Sequence, residues 1–456
     1  EESGDLHAAH LAQALKARIP GVRLLGMGGE RMAEAGVERF AALNELAVMG
    51  FAEVARRLPY FLRLERKVKA LLRAGEVELV IPVDYPGFNL RITEAAHTLG
   101  VPVLFYIAPQ VWAWKAGRTR RLARAGIASL REAVVKHGID CDWSEAGKYH
   151  TASSKRGANE ILRPTVEELD RLEEPYRWLD HEETSARLGT RHFAASVHTP
   201  GTVLLNPAAL NRGLGDNLPA NVSLYENSPV LDADFGDTVV LKTASGSVRA
   251  PKAILAVNGL AMRFGFWKGR LLNFAAHASI SRPLTAAEQA AIGNIEAWGS
   301  TPANAFAGIT MRYTNDRRIL IRQNIHFCPG LRQSDERRRL IRAEHQRLFD
   351  RRFPALRGVT MEYTWTGFIC LSRNAAPGFG QVAANVWSAV CQNAVGVAKG
   401  TTSGRLAAAM ALGEDDPLIA DMQSLGTPSA LPPRPFLDLG VRARFAWEVF
   451  HNRHEA

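Results

Sequence analysis

The chain has 456 residues, a hydrophobic fraction of 46% and a formal net charge of +10. This size predicts two or three domains with substantial apolar cores and excludes wholesale disorder. No stretch approaches the roughly 18 consecutive apolar residues of a membrane-spanning helix, and the polar residues 1–5 predict no signal peptide.

The first 126 residues alternate helical and strand patterns. Helices are predicted at 6–18 and 91–99, and strands at 22–27, 79–83 and 101–107. This order predicts a Rossmann-like parallel sheet with helices on both faces, in which ligands bind beyond the carboxyl ends of the strands. Asp84 directly follows one such strand and is a candidate general base toward a hydroxyl group. The alternative is that Asp84 caps the following helix.

Residues 56–73 concentrate positive charge, with seven basic residues and one acid interleaved with leucines and a valine at near-helical spacing. One interpretation is the solvated face of a surface helix. The other is a weak contact with anionic lipid headgroups. No ladder of aromatic residues accompanies the charge, so nucleic acid is not a predicted partner.

Five motifs in this part resemble the N-terminal region of lipid A disaccharide synthase. They are ESGDLHAA (2–9), GMGGERMAEAGVE (26–38), ELAVMGFAEV (45–54), VDYPGFNLR (83–91) and APQVWAWKAGR (108–118). The resemblance implies a B-type glycosyltransferase that transfers an acylated glucosamine from a UDP donor, with Asp84 as its base and 56–73 facing the membrane. It stops near Arg124, and the family's donor-binding second domain has no counterpart here.

The pattern changes to short strands with flanking helices in residues 127–456. Strands are predicted at 222–225, 239–243, 247–249, 253–257, 307–313, 319–324 and 360–367, and helices at 166–172, 286–292, 334–349 and 404–412. Alternation across Arg312, Arg322 and Gln323 predicts one polar face on an antiparallel sheet. The fold class is therefore predicted as α/β plus α+β, with truncated Rossmann-like βα units followed by a mixed or antiparallel-sheet domain.

Three segments of this second part suit a dinucleotide. Residues 225–230 end a predicted strand, and residues 254–259 form a strand that runs into Asn258 and Gly259. Residues 391–404 are rich in glycine and lead into a helix, whose free N–H groups favour an anion. The alternatives are ordinary strand-and-turn segments for the first two and a tight packing turn for the third.

The second part resembles FAD-dependent oxidoreductases of the D-amino-acid oxidase type, in their gamma-glutamylputrescine oxidoreductase branch. The segments that carry the resemblance are GIDCDWSEAGKYHTA (138–152), LLNPAAL (204–210), VRAPKAILAVNG (248–259), YTWTGFICLSRNAAPGFG (363–380) and CQNAVGVAKGTTSGRLAA (391–408). The resemblance implies FAD as the cofactor and hydride transfer from the amine-bearing carbon of a small amine or amino acid.

The resemblance also assigns residues to the cofactor and the substrate. Contacts with the adenosine and phosphate groups of FAD are expected from Val230, Ala256, Asn258 and Gly259. Contacts with the flavin ring are expected from Asn393, Gly396, Val397, Lys399, Gly400 and Thr401. Residues near the substrate are expected to be Trp365 and Arg373.

The four cysteines, Cys141, Cys328, Cys370 and Cys391, are far apart and form no CxxC pair. This spacing predicts neither a metal site nor a disulfide framework. A reducing cytoplasm is the expected location, with the inner face of a membrane as a peripheral alternative.

The family's N-terminal GxGxxG unit, which holds the FAD diphosphate, is absent from the sequence. Three hypotheses follow: an FAD-dependent oxidoreductase, a glycosyltransferase fragment, and a non-functional fusion of two gene fragments near residue 126. The fusion hypothesis predicts strands without sheet partners and exposed apolar surface near the junction.

Overall fold

The computed structural model describes residues 2–42, 51–83, 86–104 and 113–455, and the chain divides into two compact units, Glu1–Trp114 and Lys115–Ala456. Asp84 lies outside the described residues, so its predicted role stays a prediction. The elements of the first unit are α1 (Glu2–Arg18), β1 (Leu25–Gly28), α2 (Glu30–Glu34), β2 (Glu38–Ala42), α3 (Phe51–Arg73) and α4 (Pro86–Thr98).

The first unit has parallel strand pairing, as its sequence pattern predicts. β1 pairs with β2 in parallel, and Val80 forms an isolated parallel bridge with Val103. Of the predicted strands at 79–83 and 101–107, the described residues show bridge positions at Val80, Val83 and Val103 and no continuous strand, while 105–107 lie outside the described residues. Pro82 and Pro102 lack the N–H that a continuous ladder requires, which accounts for the shortening.

The glycine turn between β1 and α2 is closed by a carboxylate of the chain itself. Asp5 accepts hydrogen bonds from the backbone N–H of Gly29 at 2.6 Å and of Arg31 at 3.2 Å. A Cβ on Gly29 would lie 2.4 Å from an Asp5 oxygen, so only glycine fits there. The N–H groups that a phosphate would need at this turn are therefore already engaged.

The helices of the second unit begin with one that contains residue 126. They are α5 (Ala113–His137), α6 (Lys155–Gly157) continued by a π-helical turn (Ala158–Leu162), α7 (Arg163–Arg171), α8 (His181–Leu188), α9 (Pro207–Asp216), α10 (Ala286–Ala291), α11 (Asp335–Arg352), α12 (Gly396–Leu412), α13 (Pro417–Ser424) and α14 (Phe436–His451). Three 3-10 turns are present at Asn258–Phe264, Pro354–Leu356 and Arg453–Glu455.

The strands of the second unit form three sheets. They are β3 (Lys148–Ala152), β4 (Arg177–Leu179), β5 (Ala195–Thr199), β6 (Asp232–Phe235), β7 (Val239–Lys242), β8 (Ser247–Ala250), β9 (Ala253–Leu255), β10 (Leu271–Ser281), β11 (Trp298–Pro302), β12 (Thr310–Tyr313), β13 (Ile319–Phe327), β14 (Met361–Ser372), β15 (Gly378–Ala383) and β16 (Val386–Val390).

The largest sheet has eight strands in the order β14-β10-β13-β12-β11-β3-β5-β4. All of its pairs are antiparallel except β11 with β3. One face packs against α11, where Met311, Ile321, Phe349 and Phe353 belong to a single buried apolar cluster. Burial of this alternating apolar face holds the register, because a slip of one residue would expose it.

A smaller sheet has the order β15-β16-β9, in which β16 and β9 are parallel, and β6, β7 and β8 form a separate antiparallel sheet. β9 lies at the edge of the smaller sheet, and its Ile254 is 41% exposed. The prediction of a strand at 222–225 is wrong, because the structure has no strand there. Val222, Leu224 and Tyr225 are exposed. These apolar side chains alternate as in a strand, but no neighbouring strand pairs with their backbone.

Helix α5 runs without interruption through residue 126 and packs against α12. A Cβ on Gly126 would lie 2.0 Å from the carbonyl oxygen of Ala398, so the two helices approach as closely as glycine allows. Thr402 donates a hydrogen bond from its hydroxyl to the carbonyl oxygen of Leu122 at 2.7 Å. Among the described residues, no sheet contains strands from both sides of residue 126.

Candidate functional site

The candidate cofactor site centres on the loop that joins β16 to α12. Its residues Cys391, Asn393 and Ala394 all have left-handed backbone conformations, with φ of 57°, 54° and 59°. Such values are costly for non-glycine residues and persist only where surrounding contacts fix them. Concentration of three of them in four residues marks the loop as a held, irregular turn.

Two asparagine side chains supply those fixing contacts. Asn393 accepts a hydrogen bond from the Ser372 backbone N–H at 2.8 Å and donates to the carbonyl oxygens of Ala375 and Ala376 at 3.0 and 3.2 Å. Asn258 accepts from the Cys391 N–H at 3.1 Å. The side chain of Asn393 therefore fixes the position of the loop and holds the end of β14 against the loop.

The N-terminus of α12 is available to an anion. Val395 precedes the helix without a side-chain cap, and the first turn has no acidic residue. Val395 and Val397 are 60% and 48% exposed, and nothing lies within 4 Å of where a Cβ on Gly396 would stand. The uncapped N–H groups and the helix dipole favour negative charge in front of this helix.

Two residues predicted to touch the flavin, Lys399 and Thr401, lie within α12. Lys399 is buried, and burial lowers the pKa of its ammonium group. Thr401 donates its hydroxyl to the Val397 carbonyl oxygen of its own helix at 2.8 Å. Gly400 packs at ordinary distance beside Gln392. These three residues lie inside the helix, whereas Gly396 and Val397 face open space.

The residues predicted for the adenosine side are spread over two segments. Ala256 and Asn258 are exposed beyond the end of β9, and Gly259 is buried where a Cβ would lie 2.0 Å from the Asn273 side-chain oxygen. Val230 lies outside any strand, in contrast to the prediction that residues 225–230 end one. Gly259 is thus required by packing against β10, independently of any ligand.

The predicted substrate residues are not brought together. Arg373 is exposed and directly follows Ser372, next to the Asn393 loop. Trp365 is 42% exposed and lies eight residues earlier along β14, which corresponds to roughly 25 Å of extended strand. The assignment of both residues to one substrate site therefore stays a prediction.

Two buried thiols lie beside the loop, and the sequence pattern does not indicate them. All four cysteines are free, and Cys370 and Cys391 share one buried apolar cluster. A hydrogen bond with Cys391, together with burial, raises the pKa of the Cys370 thiol. The 20 residues between them in the sequence give no signal of this contact, which depends on how β14 and the loop after β16 meet in the fold.

Comparisons with known proteins match the two parts of the chain to different families. A family model described as FAD dependent oxidoreductase matches residues 91–410, and one described as Lipid-A-disaccharide synthetase matches residues 1–127. Both resemblances and the predicted fold class are confirmed. No described helix has the length and apolar character needed to cross a membrane.

Curated relatives match the front of the chain. Lipid-A-disaccharide synthase from Coxiella burnetii (strain Dugway 5J108-111) is 44% identical over 124 residues, which are 27% of this chain and 33% of that protein. The same enzyme from Syntrophotalea carbinolica is 44% identical over 152 residues, 32% of this chain and 39% of that protein. The chain spans about a third of the length of these relatives.

Solved structures share the fold of the larger part. Glycine oxidase from Geobacillus kaustophilus aligns with a TM-score of 0.56 and 18% identity, over 71% of this chain and 85% of that one. Iminodiacetate oxidase from Chelativorans sp. BNC1 aligns with a TM-score of 0.55 and 18% identity, over 71% and 87%. Since the FAD-dependent oxidoreductase model covers more than half of the residues, this chain belongs to the FAD-dependent oxidoreductase family and carries a lipid A disaccharide synthase-like N-terminal part.

Proposed function

We propose that the chain is a fusion whose larger part is an FAD-dependent oxidoreductase for a small amine or amino acid, of the gamma-glutamylputrescine oxidoreductase type. The observation that carries this proposal is the strained 391–395 loop, held by Asn393 and Asn258 in front of the uncapped α12. Such a helix N-terminus favours the negative charge that a reduced flavin carries.

The residues present fit the ring end of FAD. The space in front of α12 is open at Gly396, and the apolar side chains Val395 and Val397 are exposed toward solvent on either side of it. Ala256 and Asn258 offer exposed backbone beyond β9 for the rest of the cofactor. These are the residues that would hold FAD in this chain.

The described residues offer no equivalent binding turn for the diphosphate of FAD. No GxGxxG motif occurs in the sequence, and the glycine turn at residues 28–29 has the Gly29 N–H bonded to Asp5. Loss of several charge-assisted hydrogen bonds, at about 1.5–3 kcal/mol each, weakens binding by orders of magnitude. We therefore propose that FAD binds weakly and that turnover is correspondingly low.

When bound, FAD supplies a hydride acceptor for the carbon that bears the substrate amine. The exposed guanidinium of Arg373, beside the loop, would orient an anionic group of the substrate through paired N–H donors. Asn393 keeps Arg373 and the N-terminus of α12 in a fixed relation through the Ser372 bond. The amine needs no dedicated base if it arrives neutral.

The proposal is tested by titrating the purified chain with FAD and following flavin fluorescence, with Asn393→Ala as the variant and exposed Asn315→Ala as its control. We expect saturable binding weaker than about 10 µM, lost in Asn393→Ala. Bleaching of the bound flavin by an amine under anaerobic conditions then tests the reaction. Nanomolar affinity contradicts the loss of the diphosphate cradle, and absence of saturable binding contradicts the oxidoreductase proposal.

For the Glu1–Trp114 unit we propose a retained acceptor-side fragment without glycosyl transfer. It matches only a third of its relatives' length, so the donor-binding remainder has no counterpart.

Its helix α3 carries the basic stretch, in which the Lys69 ammonium is paired with Glu65 at 2.7 Å. We propose a cytoplasmic location with weak contact of this helix with anionic lipid. Sedimentation with anionic vesicles tests it, and binding unchanged after charge reversal at Arg56, Arg57, Lys67 and Lys69 would refute it.

A further inference from the structure

Three basic side chains lie together on the face of the eight-stranded sheet that is turned away from α11. Arg322 on β13 pairs with Thr310 on β12, and Arg312 follows Thr310 by two residues, so both arginines share that face. Gly299 on β11 pairs with Arg312, and the parallel register of β11 with β3 places Lys148 on the same side. The cations therefore form a row across four strands, with Arg312 in the middle.

The row lacks compensating negative charge. Arg322 donates to the Thr310 hydroxyl, and Arg312 donates to the carbonyl oxygens of Ser300 and Met311 at 2.8 and 2.7 Å. In the part of the chain that the structure describes, no carboxylate forms an ion pair with either arginine or with Lys148. All three side chains are half-buried, where an unpaired charge is costly.

The electrostatic environment agrees with this placement. Burial, with repulsion from Arg322, lowers the pKa of Arg312 to about 10. Burial, with repulsion from Arg312, lowers the pKa of Lys148. The charges on Arg312 and Lys148 are thus each destabilised by burial and by a neighbouring arginine. An oxyanion placed between them would relieve both penalties at once.

A glycine on β11 makes room for the Arg312 side chain. A Cβ on Gly299 would lie 2.9 Å from the Arg312 Cδ and 2.6 Å from a Leu204 methyl group. The Arg312 side chain therefore lies over the backbone of β11, toward β3, where any larger residue would block it. This arrangement directs its guanidinium into the interval that separates it from Lys148.

We propose that Lys148, Arg312 and Arg322 form a binding site for a small dicarboxylate on this sheet face. The row covers three strand spacings, about 14 Å between its outer Cα positions, so its positive charge is spread out and suits two separated carboxylates better than one compact phosphate. Arginine forks bind carboxylates through paired N–H donors. Trp365 stands at the end of the same face, since Ala278 pairs with both Trp365 and Arg322, and it provides an exposed apolar wall for a carbon chain.

The site is tested on the purified full-length chain without FAD, so its outcome is independent of the oxidoreductase proposal. Glutarate, its uncharged analogue glutaramide, and inorganic phosphate are titrated while thermal unfolding and heat of binding are recorded. The variants are Lys148→Met and Arg322→Met, with Arg322→Lys as a milder change. Arg339→Met, at an exposed position on α11, is the matched control.

We expect saturable binding of glutarate that raises the melting temperature, no effect of glutaramide, and weaker binding of phosphate. Lys148→Met and Arg322→Met should each weaken glutarate binding at least about tenfold, and Arg322→Lys by less, because a point charge replaces the fork. Without ligand, Lys148→Met should melt at a higher temperature than the parent chain, since it removes an uncompensated charge.

The proposal is overturned if glutarate shows no saturable binding, or if its affinity is the same in Arg322→Lys, Lys148→Met and the parent chain. Preference for phosphate over glutarate also overturns the assignment of a dicarboxylate. Equal weakening by Arg339→Met would show that general surface charge, and not this site, binds the anion.

Discussion

The two larger sheets of the Lys115–Ala456 unit differ in how completely they are paired and covered. The eight-stranded sheet has a closed apolar side, in which Ile321 of the sheet and Phe349 of α11 are both 0% exposed. The three-stranded sheet ends at β9, where Ile254 is 41% exposed. One sheet has kept its packing partners, and the other has a bare edge.

This difference between the two sheets bears on the fusion hypothesis. Unpaired edges and exposed apolar side chains are what the fusion hypothesis predicts, and Ile254 on the β9 edge of the three-stranded sheet agrees with it. The following predictions, from the largest expected effect to the smallest, test that contrast.

Truncation of the large sheet's core should cost the most stability. Phe349 is fully buried and stacks on Phe353 at 5.5 Å. We expect Phe349→Ala to lower the free energy of unfolding by about 3–5 kcal/mol, since it leaves a cavity. Ile254→Ala on the bare edge should change it by about 0.5 kcal/mol or less. Chemical denaturation followed by tryptophan fluorescence measures both, and equal losses would remove the contrast between the sheets.

Acid should destabilise the large sheet through its buried histidines. Burial lowers the pKa of His345 to about 4, and its Nδ1 is hydrogen-bonded to Ser279 at 2.8 Å. In the unfolded chain His345 binds a proton near the ordinary pKa of about 6.5, whereas in the folded chain it stays neutral at that pH. The free energy of unfolding therefore decreases as pH falls from about 7 toward 4. The loss from this residue is on the order of 2 kcal/mol.

Replacement of His345 by glutamine should remove that part of the pH dependence. The measurement is the free energy of unfolding across the same pH range, with exposed His451→Gln as the control. An unchanged slope in His345→Gln would show that its imidazole is protonated alike in both states.

The contact between α5 and α12 should be sensitive to a single methyl group. Gly126→Ala places a Cβ 2.0 Å from the Ala398 carbonyl oxygen, and we expect a loss of about 1–3 kcal/mol from overpacking. Gly404→Ala, at a helical glycine with nothing within 4 Å, should instead stabilise by about 0.5–1 kcal/mol. Thermal unfolding compares them, and stabilisation by both would mean that α5 does not pack as described.

A single hydroxyl group should show the smallest effect of this set. Thr402→Val removes the donor to the Leu122 carbonyl oxygen and should cost about 1 kcal/mol. Thr401→Val, whose hydroxyl serves a carbonyl of its own helix, should be nearly neutral. A larger loss from Thr401→Val would indicate that its hydroxyl has a role at the open end of α12.

Local patterns predicted much of this structure. The strands Val239–Lys242, Ser247–Ala250 and Ile319–Phe327 and the helix Asp335–Arg352 occur where alternation and helical spacing place them. Residues 222–225 have the same alternation and form no strand, because a strand exists only when a neighbour pairs with its backbone. The shortened strands around Val80 and Val103 follow the same rule, with prolines at their sides.

The candidate site was predictable in part. The glycine-rich stretch identified the loop and the open Gly396, but the same stretch suggested Lys399, whose side chain is buried. Arg312 and Arg322 were recognised as a polar face, while Lys148 was not, since it lies more than 150 residues earlier. Only the parallel pairing of β11 with β3 brings it to that row.

By itself, the sequence determined the two ancestries, the helical and strand periodicities and the absence of a GxGxxG turn, because all of these are properties of residues close together in the chain. The tertiary structure alone decided that Asn393 clamps the loop onto Ser372, that Gly126 meets Ala398, and that three cations share one face. These contacts join residues distant in the chain, and their existence depends on which strands and helices find partners once the chain has folded.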